Sequence, residues 1–289
     1  MPIVAAVAAA RHDKSTDPAD SWHTAPLTRD RTMPRQQALD AITTANYAAK
    51  LAATAAIDAT LPIDAAAILG TERTVPGREA RPELVAPGKL GKRSMHTPEG
   101  RATLIHALAH IEMNAVDLAL DILWRFPGMP DAFYRDWIRV AKEEAYHFSM
   151  LDAHLRGMGY AYGDFPAHHS LWEMAEKTRD DILARLALVP RTLEARGLDA
   201  SPPIRDKLKQ AGDHAAAAIL DIILRDEIGH VAVGNRWYQH VCAERGLDPV
   251  AAYADMVERY RAPKLRGPFN IEARRAAGFS EAELAALLA

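Results

Sequence analysis

Ile223-Leu-Arg-Asp-Glu-Ile-Gly-His230 sets Glu227 and His230 three residues apart inside a long apolar-periodic run. Residues at that spacing share one helix face, so both side chains reach toward one point. Leu220, Ile223 and Leu224 precede the pair in register and Val231 follows it, so the face belongs to a core. A second stretch repeats the arrangement. Lys142-Glu-Glu-Ala-Tyr-His147 holds Glu144 and His147 at the same spacing, flanked in register by Trp137, Val140, Ala141, Phe148 and Leu151. Glu143 shares its side with Asp136 and Arg139 and is expected to face solvent.

Two Glu-x-x-His helices call for two further carboxylates, because four-helix di-metal sites take one Glu from each remaining helix. Glu112 is the first, within Leu104-Ile-His-Ala-Leu-Ala-His-Ile-Glu-Met-Asn-Ala-Val-Asp-Leu-Ala-Leu120, where Ile105, Leu108, Ala109, Ala115, Val116 and Ala119 share its face. Glu194, in Leu188-Val-Pro-Arg-Thr-Leu-Glu-Ala-Arg-Gly197, is the second, with Ala187 and Leu198 on its face but also Pro190 and Arg191. Its rival Glu176 is followed by Arg179 and Asp180, as a solvated residue would be. Spacing favours Glu194: Glu112 to Glu144 is 32 residues and Glu194 to Glu227 is 33, one pattern used twice.

Taken singly, each of these six residues reads as a core histidine or as a carboxylate paired with an arginine; their joint spacing points to a metal site. Four ionised carboxylates in an apolar core cost several kcal/mol each unless compensated. Two divalent cations balance them, and two neutral imidazoles complete the set. Such donors suit iron or manganese, and a single cysteine excludes a thiolate site.

The expected fold is all-α, a four-helix bundle with additions at both ends. Residues 1–33 read as a flexible lead-in; the run Pro2–Ala10 lacks a basic start, which argues against a signal peptide. Residues 34–98 read as a helix over 34–59, opened by Pro34, and a proline-rich arm packing on the bundle, with a basic cluster at Lys89, Lys92 and Arg93. The bundle spans 99–245, with helices over about 98–126, 132–158, 170–196 and 204–245. Thr97 and Pro98 are placed to start the first. Pro190 should kink or divide the third just before Glu194, and Gly197 with Pro202-Pro203 should separate the last two. The extension 246–289 holds a helix near 249–260, a basic loop over 263–274 lying on the bundle, and a turn capped by Ser280. A net charge of −3 and pI near 6.5 argue against a generic polyanion binder; the lone Cys242 fits a reducing cytoplasm, and no run is long enough for a membrane span.

Beyond the ligand pattern, His106–Asp121, Gly163–His168, Leu171–Lys177, Val189–Gly197 and Arg225–Trp237 resemble the bacterial ferritin-like family known as domain of unknown function 455. More distantly, the paired Glu and Glu-x-x-His pattern is similar to di-iron tRNA hydroxylases, bacterioferritins, rubrerythrins and di-iron oxidases. The resemblance implies a ferritin-like fold with a di-iron centre at Glu112, Glu144, His147, Glu194, Glu227 and His230. It implies no substrate. The leading expectation is an O2-dependent oxidase or oxygenase with two iron ions (manganese is also permitted), O2 as co-substrate, an external electron donor and an unidentified substrate, a small molecule favoured over tRNA. Iron handling by a ferroxidase or peroxide-removing protein is the alternative, and tRNA hydroxylation a third reading. Tyr146 and Tyr238 are expected to be core residues, and His106, His110 and Asp117 to support the site at most from outside its ligands. The oligomeric state is open.

Overall fold

The computed structural model describes residues 32–89, 94–168 and 170–288, so the lead-in and leader readings up to residue 31, and Lys92 and Arg93, fall outside it. Pro34 opens α1 (Pro34–Ile42), and Asn46 opens α2 (Tyr47–Ala55) by accepting from the Ala49 amide. The sequence predicts a single helix here. Three polar residues within four positions divide it: Thr43 and Thr44 turn their hydroxyls back to the carbonyls of Leu39 and Asp40, and Asn46 is placed to cap. The arm that follows runs without helices until a single turn at Pro87–Lys89. Buried Arg35 ties it down, donating to the Leu123 and Trp124 carbonyls at the end of the next long helix and to those of Asp64 and Ala67 in the arm.

Thr97 accepts from the Gly100 amide and starts α3 (Pro98–Arg125). After a turn at Pro127-Gly128, α4 (Asp131–Gly157) returns along it. The connector beyond α4 is a packed one: Ala167 exchanges two backbone hydrogen bonds with Glu83 and Val85 of the arm. His106 and His110, far from supporting the metal face, hold this connector, accepting from the Gly163 amide and bonding the Tyr162 hydroxyl and the His168 carbonyl. Asp117 pairs with buried Lys50 of α2 at 2.6 Å.

The third bundle element departs most from expectation. It is built from α5 (Ser170–Lys177), α6 (Ile182–Leu188), a π-helical turn (Val189–Glu194) and α7 (Ala195–Gln210). Pro190 has no amide proton for the carbonyl four residues back, and the ladder widens: the Ala195 amide bonds the Pro190 carbonyl and the Thr192 hydroxyl bonds that of Ala187, both five residues back. Pro202 and Pro203 lie inside α7 rather than before the fourth helix. The carbonyl of Leu198, left without a donor by Pro202, accepts instead from the Asn270 side chain. Gly212, at φ 80°, ends this element, and α8 (His214–Glu244) follows under an Asp213 cap. The C-terminal extension comprises α9 (Pro249–Arg259), α10 (Ile271–Ala276) and α11 (Glu281–Leu288), the last begun by the expected Ser280 cap in a reciprocal pair with Glu283.

The result is an all-α bundle of α3, α4, α6–α7 and α8. Its apolar interior falls into two main clusters, with a small third one of Ala195, Leu198, Val231, Ala273 and Ala277. One gathers Val116–Phe126 of α3, Phe133–Ala145 of α4 and Val233–Cys242 of α8; the other gathers Ala102–Met113, Phe148–Leu155 and Ala216–Ile223 of the same helices. On all three helices the boundary between clusters falls at the predicted polar residues. No described helix is long and apolar enough to cross a membrane.

Candidate metal centre

Glu112 of α3, Glu144 and His147 of α4, and Glu227 of α8 are buried, and each offers one donor atom within 4.8 Å of the others. His230 joins them from α8, its Nδ1 at 2.9 Å from Glu144 Oε1 and 3.7 Å from Glu227 Oε1. His147 Nδ1 lies 3.3 Å from both Glu112 Oε2 and Glu144 Oε2. Glu144 therefore turns one oxygen to each imidazole, and the two rings stand 5.6 Å apart. Glu194 comes from the π turn, with Oε2 buried and its carboxyl feeling the charges of Glu144 and Glu227. Glu176, the rival, is exposed and bonds the Trp172 indole.

Proximity is not matched by hydrogen bonding. Glu112 Oε2, Glu144 Oε1, Glu194 Oε2, Glu227 Oε2 and His230 Nδ1 are all buried without a properly aligned partner. Buried polar atoms left so cost about 1–3 kcal/mol each, and the four on Glu112, Glu144, Glu227 and His230, which lie together, mark a missing positive partner that takes lone pairs rather than protons. Divalent metal ions fit that description and these donors.

Each imidazole is fixed from behind by a carboxylate on the other helix. His147 Nε2 donates to Asp226 Oδ2 of α8 at 3.2 Å, and His230 Nε2 donates to Glu143 Oε2 of α4 at 2.7 Å. These bonds hold the proton on Nε2 and turn Nδ1 inward, the arrangement that raises the basicity of a metal-binding histidine. Glu143 is thus not simply solvated, as its neighbours on α4 predict. It is only 34% exposed, with Arg139 at 3.1 Å on its outer side. The sequence signal is a repeated acidic residue before each Glu-x-x-His: Glu143-Glu144 and Asp226-Glu227.

Without a cation the charges arrange themselves unevenly. Burial drives the carboxyls of Glu112 and Glu194 well above their ordinary value and raises that of Glu227, and the Glu144 charge adds to each. For Glu144 burial acts the same way, but the His230 charge and bonds to both imidazoles outweigh it and hold it ionised. Burial would lower His147; its bonds to Glu112 and Glu144 instead push it up to about 11. His230 is likewise raised, by Glu144 and Glu143 against its own burial.

The two tyrosines expected in the core part ways. Tyr146 is 57% exposed rather than packed, because it lies on the outer face of α4. Tyr238 is buried as expected and donates to the Pro249 carbonyl.

A protein of Haemophilus influenzae, itself uncharacterized, is 52% identical over 211 residues, covering 71% of this chain and 73% of its own. No solved structure matches the chain. The family model described as Protein of unknown function (DUF455) matches residues 42–285, and the chain belongs to that family.

Proposed function

We propose that this chain is a ferritin-like di-iron carboxylate protein that carries out O2-dependent oxidation of a small organic substrate. One observation supports the reading: Glu112, Glu144, His147, Glu227 and His230 gather between two apolar clusters with four of their buried donor atoms left unpartnered, and the buried carboxyl of Glu194 feels the charges of Glu144 and Glu227. Glu112, Glu144, His147, Glu194, Glu227 and His230 would together hold two metal ions. Two ferrous ions so held supply the binding and reduction of O2 needed to oxidise a C–H bond or an amine, with an external donor restoring them.

The chain's own part is definable. Asp226 and Glu143 keep the imidazole protons on Nε2, so that only Nδ1 is offered to the interior. Burial raises the carboxyls of Glu112, Glu194 and Glu227 toward their protonated forms, so a cation bound there would compete with protons for them. The apolar clusters above and below exclude water from the reacting space. Manganese is compatible with the same donors. The helices added before and after the bundle weigh against assembly into a storage cage.

Metal content and optical absorption of protein from iron-supplemented cells, before and after anaerobic reduction and exposure to O2, test the reading. About two irons per chain, an O2-dependent absorption band, and loss of both in a Glu144→Ala, Glu227→Ala double variant are expected. Metal retained in the double variant, or none bound under any condition, would make the six residues structural and end the enzyme reading.

A further inference from the structure

A cavity of about 630 Å³ lies in the C-terminal extension, lined by none of the six residues above. Its size falls within the range of small-molecule sites. Tyr253 and Val257 of α9, Leu265, Phe279 and Leu287 of α11 supply an apolar wall. Charge is distributed unevenly around it: Arg191, Arg261, Lys264 and Arg274 stand against only Glu258 and Glu283. Arg274 is occupied by Asp199 at 2.6 Å, whereas among the described residues Arg261 and Lys264, both exposed at the rim, have no ion-pair partner.

The floor is Arg191, on the π turn three residues before Glu194. It is buried, and its guanidinium lies 4.0 Å from the ring of Tyr238 and 5.1 Å from that of Phe279. Nε donates to Asn235 and one terminal nitrogen to Glu283, but Nη1 has no partner. A buried guanidinium donor without an acceptor is rare in a folded chain. At the rim, Arg261 ends α9 with a φ of 49°, at the position of a helix stop where glycine is preferred; the side chain kept there at that conformational cost is one that lines the cavity.

We propose that this cavity binds a small amphipathic carboxylate: an apolar chain against the α9 and α11 walls, and an anionic head that meets the unpaired rim cations Arg261 and Lys264. Neither feature alone selects this class. An uncharged chain would leave the surplus of cations unanswered, and a small hydrophilic anion would leave the apolar wall wet.

Isothermal titration of the full chain with dodecanoate, dodecan-1-ol and acetate tests this, with Val257→Trp to fill the cavity from α9 and Arg261→Glu to reverse one rim charge. Ala286→Trp, at an exposed position lining the other wall, serves as a second filler should Val257→Trp not fold. The expected result is one dodecanoate per chain, held at least about tenfold more tightly than the alcohol or acetate, weakened by a similar factor in a filled variant and by less in Arg261→Glu. Equal affinity for the alcohol or for acetate, binding unchanged in a folded filled variant, or no binding of dodecanoate would each overturn the proposal. The titration does not depend on bound metal, so its outcome is separate from that of the di-iron reading.

Discussion

Gly234 of α8 faces Pro190 so closely that a Cβ added there would stand 2.6 Å from the proline Cβ and 2.9 Å from its Cγ. Carbon atoms rest at about 3.5–4.0 Å, so Gly234→Ala must move α8 and the π turn apart by about 1 Å. The proline ring cannot rotate away, and overpacking of this kind costs ~1–3 kcal/mol. Alanine also helps a helix by ~1 kcal/mol over glycine, which blurs the net effect of that variant alone. Gly229, five residues earlier on the same helix, removes the ambiguity: a Cβ there meets nothing within 4 Å. Gly229→Ala therefore has the propensity gain without the clash, and the difference between the two alanines isolates the clash at ~1–3 kcal/mol. By urea unfolding the Gly234→Ala midpoint should fall below that of Gly229→Ala, with thermal midpoints separated by roughly 2–4 °C per kcal/mol. Because the displaced turn carries Glu194, Gly234→Ala should also bind metal less tightly while Gly229→Ala does not. Coincident midpoints and equal metal affinity would refute the claim that Pro190 and α8 together set the position of Glu194.

Replacing the carboxylates behind the imidazoles, Glu143→Gln or Asp226→Asn, should lower metal affinity ~10–100-fold with little loss of helix content, measured by competition with a chelator and by circular dichroism. Metal affinity should rise with pH, since the raised groups Glu112, Glu194, Glu227, His147 and His230 must all lose protons to bind. The metal-free fold should respond in the opposite sense. Groups raised on folding stabilise below their unfolded values and lose that contribution as pH climbs through the folded ones, so chemical denaturation of metal-free protein should show stability declining from about the carboxyl value of 4.5 upward toward the His147 value of about 11. Finally, buried Asp121 of α3 bonds both Arg125 and buried Arg185 of α6, and Arg185→Ala should destabilise the fold by ~1–3 kcal/mol, less than for a stranded carboxylate because Arg125 stays in place, whether or not metal is bound.

What the sequence disclosed is what periodicity can carry. Glu112, Glu144, His147, Glu227 and His230 sit on long helices whose apolar register is continuous, so their common face follows from spacing alone. Glu194 was legible only through the repeat distance, because the π turn breaks the register on which a face is counted. Misreadings cluster where one side chain replaces a backbone partner across the fold. Pro202-Pro203 reads as a break until Asn270, more than sixty residues away, supplies the donor that Leu198 would otherwise lack. Thr43 and Asn46 act in the reverse sense, ending one helix and starting another inside an alanine-rich run of good helix formers. Glu143 was assigned by its neighbours on α4, and its partner comes from α8.

That last pairing bears on how the bundle is held together. Glu143 of α4 reaches the histidine of α8, and Asp226 of α8 reaches the histidine of α4, so each helix orients the donor of the other. The polar layer is also the seam between the two apolar clusters, where hydrophobic contact across the bundle is interrupted. In the metal-free protein this seam is joined by hydrogen bonds among ionisable groups, several of them poorly aligned. Bound cations would replace those contacts with stronger ones reaching α3, α4, α8 and, through Glu194, the π turn. Under the di-iron proposal, the α3–α4 and α7–α8 pairs are therefore fastened by the same ions that serve the chemistry. The stabilisation gained on loading should then follow the binding relation for a ligand of the native state, growing with metal concentration and vanishing in Glu144→Ala, Glu227→Ala.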